Sequence, residues 1–159
     1  MATIKKAGLG ALQFGGFAAY GNLTTLRATL QTSASGAAIG ADSNAAIAAG
    51  DVVLLEKLPA GMLIEDVQVI VSTAMTAAVT GSLGFIYVDG VDSAELAQDP
   101  AYFGTGLVLN ATGRLRTTSA KVPPKLPKEA YLVLTTAGAA NAKASRLDVI
   151  VHGERFGNK

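Results

Sequence analysis

Residues 62–72 read Met-Leu-Ile-Glu-Asp-Val-Gln-Val-Ile-Val-Ser, and no other stretch limits the fold so tightly. Val67, Val69 and Val71 recur at every second position, with Gln68 and Ile70 between them. Successive side chains of an extended chain point to opposite faces, so this period places the three valines on one face of a strand. A helix would scatter them around its axis. Their β-branched side chains also favour extended backbone. A strand with one apolar face must be covered by a second layer.

Comparable runs recur along the 159 residues. Residues 26–32, 52–57, 83–88, 106–109, 114–118, 130–136 and 146–152 are alternating or apolar, and 146–152 sets Leu147, Val149 and Val151 to one side. Turn chemistry separates them at Leu58-Pro59-Ala60-Gly61, at Asp89-Gly90 and across 138–144. Residues 106–109 and 114–118 are predicted to form a hairpin about 110–113, and 33–50 a long surface loop. Residues 93–103 are predicted to hold one or two helical turns, with Ser93 as N-cap and Pro100 as the stop. The prolines at 123, 124 and 127 bar 121–128 from a central strand.

Eight strands with almost no helix predict an all-β chain. The expected architecture is an antiparallel eight-stranded β-sandwich of the jelly-roll kind. An immunoglobulin-like sandwich comes second, because its Cys–Trp–Cys core is absent. Residues 26–159 form the predicted domain. Residues 1–25, where glycines punctuate Phe14, Phe17 and Tyr20, are predicted to be an extended N-terminal arm that orders on a partner.

Charge is unevenly placed along the chain. Residues 1–41 hold three bases and no acid, 42–100 nine acids and one base, and 101–159 nine bases and three acids. Acidic and basic faces would draw copies together head to tail, whereas a sandwich that interleaves the two segments would cancel the field. The charged residues are 16% of the chain, well under the usual quarter, which suits a surface partly covered by neighbours.

Catalytic chemistry finds little footing. The chain has no Cys, which removes thiolate nucleophiles, Cys-based zinc sites and disulfides together. It has one histidine, His152, and no Gly-x-Ser-x-Gly elbow or phosphate-binding glycine loop. Asp89 and Asp92, with Glu95 and Asp99 nearby, are the weak candidates for a cation site; their spacing does not fit an EF-hand loop. Glu65 and Asp66 should point to opposite faces of their strand. Arg114, Arg116, Lys121, Lys125 and Lys128 form a basic stretch without aromatic interleaving, a better match to a protein neighbour than to nucleic acid. No apolar run reaches the length of a membrane helix, and the lysines at 5 and 6 are not followed by a signal-peptide core. No cofactor, nucleic acid, membrane or small-molecule substrate is expected.

Four segments, taken in order, carry a resemblance. Leu58-Pro59-Ala60-Gly61 leads into the strand through Val69. Gly81-Ser82-Leu83-Gly84-Phe85-Ile86-Tyr87-Val88-Asp89-Gly90 follows, then Tyr131-Leu132-Val133-Leu134-Thr135, then Val149-Ile150-Val151-His152-Gly153. Over about residues 52–153 the chain resembles the jelly-roll cement (decoration) proteins of tailed-bacteriophage heads. That resemblance implies a structural virion protein, made in the bacterial cytoplasm, which binds major capsid protein on the outside of the head. It further implies a homotrimer and no catalytic residues. The expected partner contacts are Phe14, Phe17 and Tyr20 in the arm, and Arg114 and Arg116 in the basic stretch. A head-fibre base, a tail component or a carbohydrate-binding jelly roll are the alternatives.

Overall fold

The computed structural model describes residues 1–7 and 23–155. Within them run nine strands: β1 (Thr3–Lys5), β2 (Leu23–Thr32), β3 (Val52–Leu58), β4 (Met62–Thr73), β5 (Thr80–Tyr87), β6 (Asp99–Val108), β7 (Gly113–Arg116), β8 (Ala130–Ala137) and β9 (Ser145–Arg155). They form two sheets, one ordered β1-β3-β8-β5-β6 and the other β2-β9-β4-β7. Apolar side chains from both sheets meet in one core, with Leu30, Val67, Val69 and Val149 from the second sheet against Leu55, Phe85, Leu132 and Leu134 from the first. Phe85 is its aromatic centre, lying 5.3 Å from the Tyr102 ring and 5.7 Å from Tyr87.

Several expectations need correction. The strand count rises from eight to nine because residues 3–5, assigned to the arm, pair with β3. That pair is parallel, so the sandwich is not wholly antiparallel. Ile4 is buried in the core, and Lys6 Nζ donates to the Thr29 carbonyl on β2. The chain start thus closes the side of the sandwich between the two sheets. Burial pushes the Lys6 ammonium below its usual value, against the opposing pull of Glu56 and Asp148.

The predicted hairpin about 110–113 does not form. β6 pairs with β5 in one sheet and β7 with β4 in the other, so this link crosses between layers. No helix occurs among the described residues, and the stretch assigned to helical turns ends inside β6. Pro100 does not stop an element; it lies near the start of one. The β5–β6 register jumps from Leu83↔Gly104 to Phe85↔Asp99, so residues 100–103 bulge out of the ladder on an edge strand. A missing N–H is tolerated there. The bulge lies over Gly84, where a Cβ would sit 2.2 Å from the Asp99 carbonyl oxygen, so a glycine is required.

A second bulge re-aims β4. Its pairing with β9 shifts between Ile64 and Asp66, and the buried set moves from Met62 and Ile64 to Val67, Val69 and Val71. One inserted residue reverses the phase of a strand. Glu65 and Asp66 therefore both face away from the core, not to opposite sides.

Candidate interaction surfaces

The strands run back and forth, so their loops gather at two ends. Segments 59–61, 88–98 and 117–129 make one end, and 33–51, 74–79, 109–112 and 138–144 make the other.

The first end brings the acidic and basic stretches together. Lys128 Nζ lies 2.9 and 2.8 Å from the two Asp89 oxygens and 4.5 Å from the Tyr87 ring centroid. Lys121 pairs with Asp99 in the same way, 4.9 Å from the Tyr102 ring. Tyr102 donates to the Val122 carbonyl at 2.8 Å. The proline-rich segment between these lysines runs alongside β4, where the Leu126 N–H donates to the Met62 carbonyl and the Ile64 N–H to that of Pro124. It is a strap held by two similar clips, each a lysine shared between a carboxylate and a tyrosine face. Lys57–Glu129 and Arg116–Asp66 join further members of the acidic and basic segments. Opposite charges are thus interleaved within one chain, and separate acidic and basic faces do not arise at this end.

These partners account for the acids considered as cation ligands. Asp89 accepts from Lys128 and from the Val91 N–H at 3.0 Å. The Lys128 hydrogen bond leads in holding its carboxyl below the usual carboxylate range. Asp92 Oδ1 accepts from the Ser93 and Gln98 N–H groups at 3.1 and 2.7 Å. Burial raises the Asp99 carboxyl, but its bonds from Lys121 and the Ala101 N–H outweigh this and leave it lowered. Ser93 Oγ accepts from the Glu95 N–H at 3.3 Å, a turn contact rather than a helix cap. No three metal-ligating side chains converge among the described residues.

His152 occupies a row on the outer face of the four-stranded sheet, between Thr25 on β2 and Asp66 on β4. Its Nδ1 is 3.1 Å from Thr25 Oγ1. A hydroxyl, an imidazole and a carboxylate in line invite a catalytic reading, but Asp66 is turned to Gln68 and Arg116, at 3.4 and 3.8 Å. The row lies on the outer face of the sheet, beside a shallow hollow lined by Leu23 and Glu65. The imidazole is met by the Thr25 hydroxyl, and the Asp66 carboxylate is engaged elsewhere.

Arg114 and Arg116 are exposed on β7, a four-residue edge strand beside Ile70 and Gln68. Charges on a short edge discourage unwanted strand pairing. The other set of expected contacts, Phe14, Phe17 and Tyr20, lies outside the described residues.

The opposite end is built differently, and sequence reasoning passed over it as an ordinary surface loop. Asn141 is 0% exposed. Its Nδ2 donates to Thr32 Oγ1 at 3.0 Å and to the Lys143 carbonyl at 2.8 Å. Its Oδ1 accepts from the Thr76 N–H at 3.1 Å and the Thr76 hydroxyl at 3.2 Å. Thr32 Oγ1 sits 2.8 Å from Ser145 Oγ, completing a buried polar junction of β2, β9 and two loops. Asp51 accepts from the Ala2 and Ala48 N–H groups, both at 2.9 Å, and Thr136 donates to the Ala48 carbonyl at 2.6 Å. Three loops and the chain start are thereby fixed to one another. An Asn in an alanine- and glycine-rich loop is the only sequence trace of this, and its pairing is not readable from spacing.

No protein-family model matches the sequence. No curated protein matches it either. Solved structures do. The chain is similar to one in the capsid of Ralstonia phage GP4, at 17% identity and a TM-score of 0.65, over 98% of this chain and 99% of that one. It is also similar to a chain of the Cyanophage Pam1 capsid asymmetric unit, at 12% identity and a TM-score of 0.57, over 91% and 92%. At such identities the likeness is one of fold, and it extends over nearly the whole length of each chain.

Proposed function

We propose that this chain is a structural protein of a tailed-phage virion, a cement subunit bound outside the head across major capsid protein subunits. The fold shared end to end with chains of two phage capsids is the observation that carries this reading. The order of strands adds support. The orders β2-β9-β4-β7 and β3-β8-β5-β6, with β1 added at one edge, favour the jelly-roll reading. The four segments with the cement-protein resemblance fall on or beside β4, β5, β8 and β9, four of the five strands paired on both sides. A structural role makes the expected sites surfaces, and at the His152 row Asp66 is engaged by Gln68 and Arg116.

Cement works by linkage. A protein that binds only the assembled shell shifts the equilibrium toward assembly. Many copies on a lattice act together, so each contact can be weak. A homotrimer would suit a threefold position of such a lattice. A carbohydrate-binding role is less well served, because Phe85, Tyr87, Tyr102 and Phe103 are all buried in the core.

Heads assembled without this protein provide the test. Adding it back should give saturable binding and raise the temperature at which the heads release DNA. Heads that bind none of it, or whose release temperature stays fixed at full occupancy, would contradict the cement role.

A further inference from the structure

We infer that the end of the sandwich built around Asn141 is the face that seats on the shell, and that it meets a protein surface which is itself uncharged. This deepens the proposed virion role and rests on it.

Composition separates the two ends. Segments 33–51, 74–79, 109–112 and 138–144 carry three charged residues, Asp42, Asp51 and Lys143, of which Asp51 is buried. The shorter segments of the other end, 59–61, 88–98 and 117–129, carry seven. Asp42 is also committed, since it accepts the Lys5 N–H at 2.8 Å. Transfer of a charge from water into a contact is costly unless a partner meets it, so a surface nearly free of charge is the one that dries at least cost. Interface cores show the same depletion of charged residues.

Order points the same way. Binding by loops normally loses free energy to the ordering of loop and side chains. Here the loops are already fixed by the Asn141, Thr32, Thr76 and Asp51 bonds described above. The exposed residues between those bonds are largely alanines, which have no rotamer freedom to lose. Ala78, exposed at this end, has a φ of +67°, a conformation that L residues seldom adopt. Such backbone persists where the surroundings enforce it, so this loop is held in one conformation. Ile39 is 53% exposed in the same loop system and supplies an apolar anchor on an otherwise flat surface.

Charge complementarity therefore specifies the partner's chemistry. A strongly acidic or basic patch would find few counter-ions on this face, Asp42 and Lys143, and would lose its own hydration. An apolar or neutral polar surface, closely fitted, matches it. Association through such a face responds little to salt, unlike one carried by Arg114 and Arg116.

The test uses the full chain and heads that lack it. Ile39→Asp, Ala45→Glu and Ala140→Glu each place a charge at an exposed position of the face, and Arg114→Glu with Arg116→Glu serves as the comparison. Circular dichroism and thermal unfolding verify that every variant folds as the unaltered protein does. The expected result is a loss of head affinity of about tenfold or more for Ala140→Glu and Ile39→Asp. The arginine variant should change affinity less than threefold, and the unaltered chain should bind within threefold between 0.05 and 1 M NaCl, all three bounds being rough. Folded face variants that bind as tightly as the unaltered chain would overturn the inference, as would affinity that falls steeply with salt. If the unaltered chain binds no heads at any salt, the virion reading itself fails and the inference falls with it.

Discussion

The two ends of this sandwich are held by opposite means. At the strap end, lysines bridge carboxylates and tyrosine rings across exposed ground. At the Asn141 end, amide and hydroxyl groups bond to one another out of reach of solvent. Exposed ion pairs contribute little individually and are screened by salt. Buried hydrogen bonds also contribute modestly while intact, but breaking one leaves a dehydrated polar group without a partner. A region rich in charge is thus sensitive to salt, and a region of small neutral residues is sensitive to the loss of a single partner.

The largest effects should follow from damage at the Asn141 end. Asn141→Ala leaves the Thr76 N–H without its acceptor and takes one donor each from the Thr32 hydroxyl and the Lys143 carbonyl, which keep their bond to one another, and should cost about 2–3 kcal/mol, roughly a 5–10 °C fall in the unfolding midpoint. Gly36→Ala should act comparably. Gly36 has a φ of +86°, and a Cβ there would lie 1.9 Å from the Asn141 carbonyl oxygen. Thermal unfolding of each variant measures both, and a midpoint within 2 °C of the unaltered protein, roughly 0.5–1 kcal/mol, would break the comparison from this side.

Acid should loosen the other end at intermediate cost. The Asp89 and Asp99 carboxyls are held below their ordinary value when folded. Groups depressed in this way stabilise the fold above the unfolded pKa, about 4, and the contribution is lost as pH falls through the lower folded value. Amide protection at Val91 and Ala101, whose N–H groups these carboxylates accept, should therefore drop below about pH 4. The Thr76 and Asn141 amides, bonded to groups that do not titrate, should keep theirs. Hydrogen exchange followed across pH would sharpen the contrast, and equal loss at both ends would remove it.

The smallest effect is expected from single clips. Lys128→Gln removes one exposed pair and one cation–ring contact, and should cost about 0.5–1 kcal/mol. In 1 M NaCl the variant and the unaltered chain should converge in denaturant titrations. A gap that persists in salt would show that the clip acts by packing rather than by charge.

Much of the sheet was legible because alternation is a local signal. The valines of β4 and the inward set of β9 fall where period-2 reading places them. What escaped depends on partners distant in sequence. The pairing of β1 joins residue 4 to residue 53, and nothing in Thr-Ile-Lys announces it. The bulge at Glu65 and Asp66 adds one residue to a run that looks regular on paper. Pro100 read as a stop because its ladder position, outside the register on an edge strand, is a property of the sheet. The basic stretch was visible, but its neutralisation by Asp89 and Asp99 was not, since that requires the strap to lie against β5–β6. Asn141 was illegible as a site for the same reason, because its partners come from residues 32, 76 and 143.

A reconstruction of the purified phage particle at residue resolution tests the central claim most directly. The account predicts this nine-strand sandwich on the outer surface of the head, each copy touching at least two subunits of the shell. Absence of the chain from the head, or its discovery as the continuous shell itself, would contradict it.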